Sequence, residues 1–136
     1  MIRRILEGKS IPRINNVVDA YNLASIKTEI ALAAFDEDKI QGNLIMRFAI
    51  KGENFLGIGM EEPKELQDGE IVVSDDVKLV AIYPYRNTDE SKLNEKTRNV
   101  LLMVCDVPGI SKESVIDAKD IAIEYITKFC DGSSIE

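Results

Sequence analysis

The chain contains no histidine and no tryptophan. Without histidine, no catalytic triad can use imidazole as its base, and no metal site can be His-ligated. Only two cysteines occur, Cys105 and Cys130, too far apart for a zinc knuckle and too few for a disulfide framework. Both lie in apolar runs, so buried free thiols are expected. No apolar run approaches the ~18 residues of a membrane span. The start, MIRRILEGKS, has basic residues but no apolar core or small-residue cleavage site, so it is no secretory signal. There is no Gly-x-Ser-x-Gly elbow and no glycine-rich phosphate loop. Gly57-Ile58-Gly59 is a lone G-x-G with no helix expected after it. These absences predict a cytoplasmic protein with no metal, no cofactor and no membrane contact.

Positive charge is also scarce. Seventeen Lys and Arg face 24 Asp and Glu, giving a net charge of −7. Domains that grip nucleic acid mainly through phosphates are usually basic, so that mode is disfavoured. A local exception is the cluster Arg3, Arg4, Lys9 and Arg13, with Lys96 and Arg98 later; ordinary solvated surface charge is the simpler reading. Hydrophobic residues make up 45% and charged residues 30%, the balance of a soluble globular domain. At 136 residues the chain is long enough for one domain, 1–136, with a real core.

The order of elements predicts an α+β fold. It has short N-terminal helices, about six mainly antiparallel strands in a sandwich-like core, and a C-terminal helix. Residues 1–7 carry apolar residues at 2, 5 and 6 and are followed by Gly8, which gives one or two helical turns closed by glycine. So short a helix needs a packing partner. It could be the tail of a longer helix cut at Met1, or be buried in a homodimer. Pro12 sets an extended entry, and Asn15 or Asn16 caps a helix over 16–28. Residues 30–35 read as strand or extended chain before the acidic turn at 36–39. Segments 44–50 and 54–58 read as one hairpin around Lys51-Gly52-Glu53, and 70–74 with 78–83 as a second around Asp75-Asp76. Residues 84–97 have no period and form the longest irregular segment. Residues 99–105 are apolar enough for a central strand. Ser111 caps the last helix, with Glu113 in its first turn. Val115, Ala118, Ala122, Tyr125 and Phe129 share one face, and Gly132 ends the helix.

The acidic pairs Asp36/Asp38, Glu61/Glu62 and Asp75/Asp76 all fall in turns, where carboxylates bond locally to the backbone. Polar residues embedded in apolar sequence are better candidates: Asn22 and Ser25 on the first main helix, Arg47 on a strand, and Arg86 in the long loop. Asn22 is either a buried, paired structural amide or a group that orients a substrate or a water. Arg47 reads as a structural ion-pair partner. Arg86, beside Tyr83 and Tyr85, either contacts a nucleotide by charge and stacking or orders its own loop.

Several motifs in fixed order resemble the beta chain of phenylalanyl-tRNA synthetase. They are Pro12-Arg13-Ile14-Asn15-Asn16-Val17-Val18-Asp19 followed by Asn22, then Ala34-Phe35-Asp36-x-Asp38-Lys39-Ile40. Arg47-x-Ala49, Gly52-Glu53 with Phe55, Val72-Val73-x-Asp75 and Asn99-Val100-Leu101-Leu102 continue the series. The resemblance covers residues 10–106 and falls in the tRNA-binding and editing domain, with the chain closer to freestanding relatives. It implies a mixed α/β sandwich-like fold, tRNA or aminoacyl-tRNA as partner, and hydrolysis of a mischarged aminoacyl ester. Freestanding relatives usually carry further sequence before the Arg-Arg-Ile-Leu-like segment, so truncation at Met1 is one expectation.

The sequence also departs from the family pattern. Bacterial beta chains often place His where Ala33 stands and Glu where Met103 stands. Their glycine-rich loop is replaced by Tyr83-Pro84-Tyr85-Arg86. The resemblance therefore implies Asn22 as the surviving polar pocket residue and catalytic candidate. Tyr21, Ser25, Ala33, Tyr85, Arg86 and Met103 are the implied substrate or tRNA contacts. The alternative is a non-catalytic module on the same fold, binding an amino-acid-like or protein ligand.

Overall fold

A computed structural model describes residues 5–8, 15–83 and 86–135. Residues 5–8 form a turn in which the Gly8 N–H donates to the Ile5 carbonyl, with Gly8 at φ +70°. Helix α1 runs Asn16–Thr28. The Asn15 side chain caps it by accepting from the Val18 N–H at 2.9 Å. Its last turn is closed by hydroxyls: Ser25 Oγ donates to the Ile30 carbonyl and Thr28 Oγ1 to the Ala24 carbonyl. Strand β1 follows at Leu32–Asp36, then a single 3-10 turn at Glu37–Lys39. The remaining strands are β2 (Ile45–Phe48), β3 (Asn54–Phe55), β4 (Lys64–Glu65), β5 (Ile71–Ser74), β6 (Leu79–Ile82), β7 (Arg86–Asn87) and β8 (Val100–Val104). Helix α2, Lys112–Cys130, closes the order, capped by Ser111, whose Oγ accepts from the Ser114 N–H. The fold is α+β, as expected.

Contacts divide the chain into two compact units. Met1–Ala34 with Leu102–Glu136 form one, and Phe35–Leu101 form the other. The first unit is built on α1 against α2. The residues buried on these helices are all alanines, Ala20 and Ala24 on α1, Ala118 and Ala122 on α2. Each pair is spaced i, i+4, so each lies on one face and presents no bulk. Of the face read for α2, only the alanines are fully buried, while Phe129 remains half exposed. Gly132 does not take the left-handed position at the end of α2; Asp131 does, at φ 51°.

The second unit holds a four-stranded sheet in the order β2-β5-β6-β7 and a two-stranded ribbon β3-β4. Its core is Ala49, Phe55, Leu66, Val72 and Ile82, with Met60 and Leu79 packed against it. The β5–β6 hairpin forms as expected, with a bulge between Val73 and Ser74.

The first expected hairpin does not form. Strand β2 pairs antiparallel with β5, and β3 pairs with β4. The reason lies at Glu53. Its carboxylate takes the Arg47 guanidinium at 2.7 and 3.0 Å and the Ile50 N–H at 2.7 Å, which fixes the Lys51-Gly52 turn. The Glu53 carbonyl then accepts from the Leu66 N–H, which draws the next strand away from β2. Pairing with β4 lets Phe55 and Leu66 share the core with Val72 and Ile82. Arg47 is the ion-pair partner expected of it, and its Nε also donates to Ser74 Oγ.

Two further readings are corrected. The described residues form eight strands rather than about six, because the two-residue strands β4 and β7 lie in stretches that read as loop. Strand β8 is not central. Among the described residues it pairs only with β1, and all five of its residues are half-buried. An apolar run predicts extended chain, but it does not say how many neighbours the strand will have.

Candidate functional site

Helix α1 carries three of the implied site residues. Tyr21 and Ser25 are one turn apart on one face, and Asn22 lies beside them at i, i+3 to Ser25. Ser25 is structurally engaged, since its hydroxyl donates to the Ile30 carbonyl at 2.7 Å and helps end the helix. Asn22 differs: its amide is half-buried and has no side-chain hydrogen bond among the described residues. A structural amide in such a place would normally be paired. Burial pushes the Tyr21 phenol pKa up, so it stays a neutral O–H donor through the physiological range.

Ala33 and Met103 come from the β1–β8 pair. The Cys105 N–H donates to the Ala31 carbonyl and the Glu37 N–H to the Asn99 carbonyl. Both bonds belong to one antiparallel register, which sets Ala33 directly opposite Met103. The two positions where the family resemblance would place His and Glu are therefore cross-strand neighbours. Here the pair is a methyl group and a thioether, both half-buried. Neither can transfer a proton.

Arg86 lies in β7 of the second unit, and Tyr85 lies outside the described residues, as do Arg3, Arg4, Lys9 and Arg13. The aliphatic stem of Arg86 runs across Gly57, where any Cβ would collide with Arg86 Cγ and with the Phe55 ring. Gly57 thus acts by leaving room for an arginine. The exposed guanidinium has no ion pair or hydrogen bond among the described residues.

The Ala-Phe-Asp segment is structural. Asp36 is buried, and its carboxylate accepts from Thr97 Oγ1 at 2.9 Å and from the Asp38 N–H at 3.2 Å. Thr88 and Ser91, in the segment read as irregular, are buried with their hydroxyls 2.6 Å apart, and Ser91 Oγ also donates to the Val80 carbonyl. These two anchors went unread because short polar residues in a loop carry no periodic signal.

Both thiols are free. Burial pushes Cys105 up, and burial with the neighbouring Asp131 carboxylate does the same to Cys130, so neither is an activated nucleophile. Among the described residues no cluster of three or more Cys, Asp or Glu could hold a metal. No described helix is long and apolar enough to cross a membrane.

The comparisons with known proteins agree with these motifs. Residues 1–131 match the B3/4 domain. The chain is 36% identical over 101 residues to the phenylalanine–tRNA ligase beta subunit of Aquifex aeolicus, covering 74% of this chain and 13% of that protein. It is 32% identical over 91 residues to the corresponding subunit of Fusobacterium nucleatum, covering 67% of this chain and 11% of that one. It thus spans about an eighth of these relatives' length. Among solved structures, an N-terminal fragment of the phenylalanyl-tRNA synthetase beta subunit from Pyrococcus horikoshii superposes with a TM-score of 0.69 over 84% of this chain and 40% of that fragment, at 17% identity. That likeness is one of fold.

Proposed function

Since this chain belongs to the B3/4 domain family, we propose that it binds tRNA at its aminoacyl end and hydrolyses mischarged aminoacyl esters. The observation that carries this reading is Asn22, whose half-buried amide has no hydrogen-bond partner among the described residues. An amide in that state can donate to an ester carbonyl or hold the attacking water. The neutral Tyr21 phenol offers a second donor on the same helix. The Arg86 guanidinium, free of partners among the described residues, would supply a charge for a phosphate, and Tyr85 a ring for a base.

Hydrolysis in this reading proceeds without a proton-transferring side chain at Ala33 or Met103. Its rate gain comes from holding water and ester in line and from hydrogen bonds to the developing oxyanion. An aminoacyl ester is already activated, so positioning alone is a sufficient demand. Incubation of the protein with Tyr-tRNA(Phe) and a panel of other mischarged tRNAs tests the reading. Release above buffer for at least one pair is expected, and Asn22→Ala should lower it roughly tenfold or more, the loss of one oriented hydrogen bond, with Tm unchanged. Release no faster than buffer for every pair sinks the catalytic reading.

The Ala33–Met103 pairing favours a second reading, a non-catalytic module of the same fold. The apolar pair would then line a binding surface for an amino-acid-like group. Ligand-dependent thermal stabilisation without turnover distinguishes it.

A further inference from the structure

A separate cleft of about 360 Å³ lies wholly within the second unit, lined by Glu37, Ile40, Gly42, Asn43, Leu44 and Leu101. Its size is within the range of small-molecule sites, roughly 300–1,000 Å³. It contains none of the residues named above as substrate or tRNA contacts. Three of its side chains are aliphatic. The two that are polar are uncommitted, since neither the Glu37 carboxylate nor the Asn43 amide makes a side-chain hydrogen bond among the described residues.

The walls of this cleft are held from behind. The Gln41 N–H donates to Asp75 Oδ2 at 2.9 Å, and the Asn43 N–H to Asp76 Oδ1 at 3.3 Å. The Asp76 N–H returns a bond to the Gln41 carbonyl. Gly42 sits at φ +79°, and a Cβ there would run into the Asp76 carboxylate. On the other side, the Glu37 N–H donates to the Asn99 carbonyl, and Asp38 Oδ1 accepts from the Asn99 amide. The Gln41 and Asn43 N–H groups and the Gln41 carbonyl are therefore held in place, while the exposed Glu37 and Asn43 side chains are engaged by no other described residue. A loop held from behind keeps these exposed side chains beside the aliphatic wall, where a small ligand could meet both.

We propose that this cleft binds a small primary amine with a compact apolar body and no free carboxylate. The ammonium pairs with Glu37, the apolar body rests on Ile40, Leu44 and Leu101, and Asn43 can meet a carbonyl on the ligand. The exclusion of a free carboxylate follows from charge. No Lys or Arg lines the cleft, Glu37 brings a carboxylate to it, and Asp76 lies directly behind Gly42. A zwitterionic amino acid would bring its carboxylate into this negative surrounding without a counter-charge. An alkylamine, or an amino acid whose carboxyl is amidated or esterified, would not.

The test is an NMR titration of the whole protein with isoamylamine, L-leucinamide, L-leucine and N-acetyl-L-leucinamide. The two amines are expected to saturate, with backbone shifts centred on Gln41, Gly42, Asn43, Leu44 and Leu101. Leucine should bind at least tenfold more weakly than leucinamide, and the acetylated compound, which lacks the cation, should not saturate. Leucinamide tighter than isoamylamine supports a masked amino acid held also by Asn43; equal affinities support a plain amine. Glu37→Gln, at an exposed position, should cost both amines roughly tenfold, as expected for a charged hydrogen bond. Equal binding of leucine and leucinamide, unchanged affinity in Glu37→Gln, or shifts mapping elsewhere overturns the proposal. The deacylation assay with Asn22→Ala reads a different part of the chain, so the two ideas can fail independently.

Discussion

Asp75 gathers the hydrogen bonds of the β5–β6 turn. Its carboxylate accepts from the N–H groups of Gln41, Val77 and Lys78, and from the Lys78 ammonium at 2.9 Å. Burial alone would raise its pKa, but the Gln41 N–H, the Lys78 ammonium and the two turn N–H groups outweigh it and hold the carboxyl at about 2. The folded value lies below the unfolded one, near 4. The stability this contributes is therefore fully present above pH ~4 and is lost as pH falls through ~2. A shift of this size corresponds to about 2 kcal/mol. Urea unfolding at pH 6 and pH 2.5 should show that loss in the natural sequence, and Asp75→Asn should remove most of it while lowering stability at pH 6. An unchanged pH dependence in the variant would show that Asp75 is not the titrating group. The sequence identified Asp75 as a turn carboxylate, because Asp at a turn bonds to the backbone two or three residues on. Its hold on Gln41, 34 residues earlier, had no local signal.

At the scale of elements, both long helices were legible with their N-terminal caps, Asn15 as one of two candidates, whereas the end of α2 at Asp131 rather than Gly132 was not. Asn15 and Ser111 cap where a polar side chain precedes an apolar period, and that signal is local. Their packing was less visible. Helices α1 and α2 pack together, and their buried residues are Ala20, Ala24, Ala118 and Ala122, of which Ala24, Ala118 and Ala122 are completely buried. Alanines at i, i+4 let two backbones approach closely, and they leave no space for a longer side chain. Ala122→Leu should destabilise by about 1–3 kcal/mol through overpacking, read as a lowered denaturation midpoint with unchanged slope. Ile116→Ala, on the half-exposed side of the same helix, should change stability little. Equal effects of the two substitutions would contradict this account. The strands show the opposite balance. Their positions were mostly readable from apolar runs, but β2's partner was not, because the choice depends on Glu53 holding Arg47 and on Phe55 reaching the core.

For the whole molecule, the net charge of −7 restricts how it can meet RNA. Each phosphate neutralised by Lys or Arg adds about 0.7–0.9 to the salt slope of binding. On a chain this acidic, tRNA affinity should fall no more than about tenfold between 50 and 200 mM salt, the loss for roughly two phosphate contacts. Fluorescence anisotropy with labelled tRNA measures it, and a loss near a thousandfold would mean that a basic surface dominates after all. By itself the sequence determined the α+β order, the helix N-caps to within a residue, the turn carboxylates and the resemblance to the phenylalanyl-tRNA synthetase beta chain, because each of these depends on residues close together along the chain. The tertiary structure decided which strands pair, that Ala33 faces Met103, that Ser25 is engaged while Asn22 is not, and that Glu37 and Asn43 share a cleft with Leu101. Each of those outcomes joins distant residues or depends on which polar groups remain unsatisfied after the backbone has paired. No local pattern encodes them; only the folded chain does.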